Sequence, residues 1–364
     1  MKAILVSALV ASLILPSCSS SRNTFSEESW HAEVNGTDTA KLHAPHFSDG
    51  EFFNPWMPMK NKSMLSVFEW KFSKKENSYT DEEKRFMPAV VPGAVDRIRA
   101  LGGADFVLWV GHNTFLLHVN GEFWITDPIF SDRALLPRRV TPPGIAIDDL
   151  KKIAPRLSVI VSHNHYDHLD EASIKQLPAD TRIYAPLGLK RYFEGLGRKY
   201  VRELDWWQEI DCGNGARLAC LPAQHWSKRI TQPFNTTLWA SFMLTTPKIT
   251  VYLGGDSGYF TGYREIGRKF PRIDYALIPT TAYHPRWFMH YAHMDVAEAL
   301  MAFRELGAHN FIPTQWGTFR LGEEPPGYPA VDLRRKVASS GLDPARFHIM
   351  DIGGIVRLEG KQVM

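Results

Sequence analysis

One segment concentrates side chains that bind metals and carry protons: Ser162-His163-Asn164-His165-Tyr166-Asp167-His168-Leu169-Asp170. Imidazole is the commonest metal ligand among the side chains, and carboxylates suit divalent ions. In a turn, His163 and His165 can face one ion while Asp167 and His168 face a second. None of the four can be absorbed into an apolar core, because each brings polar atoms that need partners. Two adjacent divalent ions activate water and stabilise charge on a reacting oxygen. The spacing therefore points to a site for two adjacent metal ions.

Chemistry of this kind needs a rigid rim. Leu157–Ser162 is a continuous apolar run that predicts a buried strand, so the histidines follow a strand's C-terminal end, where α/β sheets bind ligands. Strands are also predicted at Phe106–Val110, Thr114–Val119 and Glu122–Thr126, the last two joined by an Asn120-Gly121 hairpin. Others fall at Arg182–Ala185, Leu218–Leu221, Leu238–Leu244, Ile249–Leu253, Tyr275–Ile278 and Phe311–Pro313. Asp295 caps a helix with Val296, Ala299, Leu300, Phe303 and Leu306 on one face, ended by Gly307; a shorter helix is expected at Glu171–Leu177. Strands alternating with helices predict layered α/β architecture.

The 364 residues carry 42 basic and 39 acidic side chains, a net charge of +3. That balance excludes a nucleic-acid partner recognised by bulk charge. Three cysteines cannot build a disulfide framework. A hairpin at Asn214-Gly215 would set Cys212 opposite Arg217 and Cys220 opposite Glu209, three rungs and roughly 10 Å apart, so two free, buried thiols are expected. The uncharged run Ala3–Leu15 after Met1-Lys2 falls short of the ~20 residues of a spanning helix and predicts a signal peptide over residues 1–17. Leu15-Pro16-Ser17-Cys18 resembles a bacterial lipobox, so Cys18 is expected to carry a lipid anchor on an exported cell-envelope protein. Residues 18–50 are expected to form a flexible tether, and residues 51–364 the hydrolase domain with an N-terminal arm.

The His-x-His-x-Asp-His pattern resembles the signature of the metallo-β-lactamase fold superfamily. Closer likeness comes from Trp109–Thr114, Thr126–Phe130, Glu203–Trp207, Gln224–Arg229, Ala282–Met289 and Trp316–Phe319, which resemble the N-acylphosphatidylethanolamine-hydrolysing phospholipase D family. That resemblance runs from about Phe52 to about Met350. It implies an αββα sandwich, one or two zinc ions, and a phospholipid or other small phosphodiester as substrate. His225, after one predicted strand, would be the third histidine beside His163 and His165. Asp256, after another, would be the carboxylate shared with Asp167 and His168. Asp167 or Asp256 would orient the nucleophile, and His293 aligns with a histidine that the family places beside the site.

At one position the chain departs from that family, which has a histidine before Trp-Gly-Thr-Phe where this chain has Gln315. A neutral amide oxygen is a weaker and harder donor than imidazole. A poor fourth ligand, a preference for a harder metal, or rescue by a nearby histidine would follow. His284 and His290 are extra histidines near the site in sequence, read as surface-loop residues. Two other outcomes stay open: hydrolysis of lactones, amides or sugar phosphates on the same site, or an inactive metal-binding lipoprotein. Phe52–Met59 and Trp287–Met294 are read either as the lining of a lipid-facing groove or as packing.

Overall fold

The computed structural model describes residues 25–59, 69–70, 72 and 77–360; the expected signal peptide and Cys18 lie outside these. A small hairpin, β1 (Phe47–Ser48) with β2 (Glu51–Phe52), precedes the main body. The first half of the body supplies β3 (Phe106–Gly111), β4 (Thr114–Val119), β5 (Glu122–Thr126), β6 (Leu157–Ile160), β7 (Arg182–Pro186) and β8 (Val201–Leu204). The second half supplies β9 (Glu209–Gly213), β10 (Ala216–Leu221), β11 (Ser241–Thr245), β12 (Thr250–Leu253), β13 (Tyr275–Pro279), β14 (Asn310–Thr314) and β15 (Ile355–Arg357). One sheet has the order β15-β3-β4-β5-β6-β7-β8 and the other β14-β13-β12-β11-β10-β9. Each begins as antiparallel hairpins and turns parallel, over β5–β8 in one and β12–β14 in the other.

Alternation along β3 explains the layers. Val107 and Trp109 face the shared core with Leu218, Phe242 and Val251 of the second sheet. Phe106, Leu108 and Val110 face a separate apolar layer with Ile98, Leu150, Ile174 and Phe193 from covering helices. A strand buried on both faces needs apolar residues at every position, which is why these runs are continuous. On the other side, helices Gly262–Lys269 and Val296–Leu306 cover the six-stranded sheet with Ile266, Ala299 and Phe303. The fold is the expected αββα sandwich.

The helix Val296–Leu306 starts on a capping box between Asp295 and Glu298 and ends at Gly307, whose φ is +64°. The strand expected over Leu238–Leu244 begins only at Ser241. Leu238 and Ala240 instead donate their N–H groups across to Leu187 and Ser162, tying the second sheet to the histidine-rich segment. The β9–β10 hairpin turns at Asn214 and Gly215, but a bulge after Ala216 shifts its register. Arg217 therefore opposes Asp211 rather than Cys212, and Ala219 opposes Glu209. Both described cysteines are free and buried.

The expected flexible tether is folded where it is described. Helix Glu27–Asn35 buries Trp30 and Val34, and Leu42 follows them into the core. Phe52, Trp56 and Met57 are also core residues, as are Met289, Tyr291 and Met294, so these stretches pack rather than line a groove. No helix among the described residues is long and apolar enough to cross a membrane.

Candidate metal centre

The site is built on strand ends along one rim. Asp127 follows β5, His163–His168 follow β6, His225 follows β10, Asp256 follows β12 and Gln315 follows β14. His112 lies in the turn between β3 and β4. Two close groups of potential ligands result: His163, His165, His225 and Asp256, and beside them His112, Asp167 and His168.

In the first group His165 Nδ1 stands 2.8 Å from His163 Nε2 and 3.2 Å from His225 Nε2. Asp256 Oδ2 lies 3.4 Å from His225 Nε2 and 3.8 Å from His163 Nε2. Its other oxygen lies 3.1 Å from His168 Nε2, so one carboxylate faces both groups. In the second group Asp167 Oδ2 is 3.4 Å from His168 Nε2 and 3.0 Å from His112 Nε2.

The outer hydrogen bonds fix which ring nitrogens face inward as acceptors. His225 Nδ1 lies 3.2 Å from the Ala292 carbonyl, which can only accept, so Nδ1 carries the proton. His168 Nδ1 donates to Asp127 Oδ2 at 2.7 Å. Ser162 Oγ donates to Asp127 at 2.7 Å and accepts from His163 Nδ1 at 2.9 Å. The inward Nε2 atoms of His163 and His225 are therefore lone pairs, and that of His168 becomes one whenever its ring carries a single proton; all three gather around carboxylates. Acceptors packed this closely repel unless cations lie between them. The donor set fits divalent metal, and the carboxylate behind His168 is the support that metal-ligating histidines usually have. His165 Nε2 and His168 Nε2 are buried without a hydrogen-bond partner.

Burial and neighbouring imidazoles hold His163 well below its ordinary pKa, and burial does the same at His225. Burial lowers His165 to about 4. At His168 burial opposes protonation, but Asp256, Asp167 and Asp127 together raise it well above its usual range. At Asp167 and Asp256 burial acts upward, yet the facing histidines, His168 first among them, keep both carboxyls well below normal.

Gln315 is placed differently from expectation. Its amide nitrogen donates to the Gly255 carbonyl at 3.0 Å and to Asp256 Oδ1, so it orients the shared carboxylate. His293 stands beside the first group, its ring 5.4 Å from that of His225. Arg286 holds the His293 carbonyl at 3.1 Å and reaches Glu298 at 2.8 Å. His284 bonds Tyr79, and His290 bonds the Arg286 carbonyl and stacks near Phe25 and Trp30; neither reaches the metal groups. A third acidic group, Glu27, His31 and Glu298, is already filled by the Arg286 guanidinium.

Two residues carry more of this site than their sequence neighbourhood announces. Asp127 takes hydrogen bonds from Asn113, Ser162 and His168. His112 was visible only as part of Trp109–Thr114, and its partners lie far along the chain. Both have left-handed backbone, φ +34° for Asp127 and +50° for His112, a conformation uncommon outside glycine and a pointer to function.

Residues 124–316 match the Beta-lactamase superfamily domain, a span that contains every strand end named above except that of β3. The chain belongs to the beta-lactamase superfamily. Its metal groups, fold and relatives make it a metal-dependent hydrolase of that superfamily. It is 35% identical over 235 residues to N-acyl-phosphatidylethanolamine-hydrolyzing phospholipase D 1 of Caenorhabditis elegans, covering 60% of this chain and 65% of that one. The chain thus spans just under two thirds of that relative's length. An uncharacterized protein of Mycobacterium tuberculosis is 32% identical, with 82% of each chain covered. Among solved structures, the metallo hydrolase Igni18 of Ignicoccus hospitalis superposes with a TM-score of 0.55 at 20% identity, covering 70% of this chain and 97% of that one, a likeness of fold.

Proposed function

We propose that this superfamily member is a zinc-dependent phosphodiesterase that cleaves N-acylphosphatidylethanolamine-like phospholipids on the headgroup side of phosphorus. The observation that carries the reading is the pair of acceptor-only groups sharing Asp256. Support for the substrate comes from the nematode relative, which is named for hydrolysing N-acyl-phosphatidylethanolamine. The imidazole-rich first group, three histidines and a carboxylate, favours zinc. Divalent ions held there would supply Lewis-acid activation of water and of phosphoryl oxygens. Asp167 or Asp256 orients the attacking water and takes its proton. His293, beside His225, contacts the phosphoryl group and steadies charge as the new O–P bond forms and the headgroup O–P bond breaks. Removal of residues 1–17 and lipidation of Cys18 would set the enzyme on the cell envelope beside lipid substrate.

The test is product analysis on mixed micelles of N-acylphosphatidylethanolamine. Phosphatidic acid and N-acylethanolamine are expected from the wild type, with at least ~100-fold less from His165→Ala, the order expected when metal catalysis is disabled. Metal-loaded protein that leaves the lipid intact but opens lactones would replace this reading with the rival one. For the anchor, Cys18→Ser is expected to move the protein from the membrane fraction to the soluble one.

A further inference from the structure

His112 stands beside Asp167 and His168, where a ligand of the second group would stand. Its ring is wholly buried. Nδ1 lies 3.2 Å from the main-chain carbonyl of Gln315, an atom that can only accept, so Nδ1 carries the ring proton. Nε2 is then a lone pair, and it is held 3.0 Å from Asp167 Oδ2. Two acceptors at that distance require a cation between them or a second proton on the ring. His168 Nε2 points into the same space, 3.4 Å from Asp167 Oδ2 and 3.1 Å from Asp256 Oδ1. The ligand atoms of His112, Asp167 and His168 all lie within 4.8 Å of one another.

The backbone is held for this purpose. His112 sits at φ +50°, outside the region that residues with a Cβ prefer. Its N–H donates to Thr318 Oγ1 at 2.7 Å. Its carbonyl accepts from Gln315 N–H at 3.1 Å and from the Trp109 indole at 2.9 Å. Gln315, itself at φ +73°, thus grips His112 through both main-chain groups while its side chain holds Asp256.

We infer that His112 is a metal ligand, completing the second site with Asp167, His168 and the shared carboxylate of Asp256, and that Gln315 is a positioning residue rather than a ligand. The inference rests on the two-ion reading of the centre. The metal departs from the expected arrangement in that the imidazole comes from the β3–β4 turn and not from the strand end after β14.

Metal titration of the stripped full-length protein tests this, read by elemental analysis and by cobalt(II) absorption. The wild type is expected to bind two equivalents. His112→Gln should keep one and weaken the other by about 10-fold or more, whereas Gln315→Ala should keep both with a smaller loss. Two ions with unchanged affinity in His112→Gln, or loss of one in Gln315→Ala alone, overturn the assignment while leaving the two-ion centre standing. A wild type that binds a single ion overturns both. Because substitution at a left-handed position can impair folding, zinc-edge anomalous diffraction on the wild type provides an independent reading. An ion about 2.0–2.1 Å from His112 Nε2 supports the ligand role, and one beyond about 3 Å overturns it in favour of a doubly protonated ring clamping Asp167.

Discussion

The chemistry at each residue of the centre is set by the partner behind it as much as by its own type. Asp127 is the clearest case, since one carboxylate fixes the tautomer of His168 and, through Ser162, that of His163. Asp127→Asn keeps the shape but offers an amide to His168 Nδ1, which can leave the wrong nitrogen protonated. Metal affinity measured by competition with a chelator is expected to fall about 10–100-fold, with the fold unchanged by circular dichroism. The sequence made His163, His165, Asp167 and His168 conspicuous because four donors crowd six positions. It could not do so for His112 or Asp127, each of which stands alone in a short turn. Their roles depend on Gln315 and His168, and main-chain hydrogen bonds over such separations leave no local pattern.

Elements matter here through how closely their ends approach. Gly258 follows the Asp256 turn, and a Cβ there would lie 2.0 Å from the Tyr291 carbonyl, in the segment that carries His293. Gly258→Ala must push these loops apart and is expected to cost roughly 1–3 kcal/mol, read as a lower thermal midpoint, with loss of activity beyond the loss of stability. β3 was legible because its run carries no polar side chain, β4 because the Asn120-Gly121 turn follows it, and Val296–Leu306 because its caps and stripe agree. β8 and β15 were not, being short and largely uncovered, so no apolar run marks them. The β9–β10 register was missed by one residue because a bulge is decided by the turn's backbone and not by side-chain alternation.

For the molecule as a whole, the N-terminal helix is part of the fold. Arg286 joins Glu27 of that helix to the buried Glu298 and to the His293 carbonyl. Arg286→Ala leaves the buried Glu298 with His31 and the Trp30 indole but without its guanidinium, and is expected to destabilise by up to about 3–5 kcal/mol in chemical denaturation. Composition hid this contact, since residues 18–50 are polar overall and, among the described ones, Trp30, Val34 and Leu42 are buried in the core with Phe25 packed against it. Acid should also weaken the fold, with or without metal. His163, His165 and His225 have lowered pKa values when folded, so the unfolded chain binds more protons once the pH drops below about 6.5. Their contribution is complete above that pH and is lost as the pH falls toward about 4, the folded value of His165. Each adds a slope of up to about 1.4 kcal/mol per pH unit in this window. His168, being raised, acts with opposite sign above it, and the lowered Asp167 and Asp256 act below it. Bound metal keeps the same imidazoles deprotonated, His168 included, so the thermal midpoint between about pH 6.5 and 4.5 should fall with acid at least as steeply in zinc as in chelator. The placement of β15 ties a distant stretch of the chain to the rim of the site. It pairs with β3, setting Ile355 against Leu108, while Gly353 and Gly354 bond the backbone of Trp109, three residues before His112. Removing Ile355–Arg357 would therefore strip β3 of its edge partner and leave the turn bearing His112 without that support.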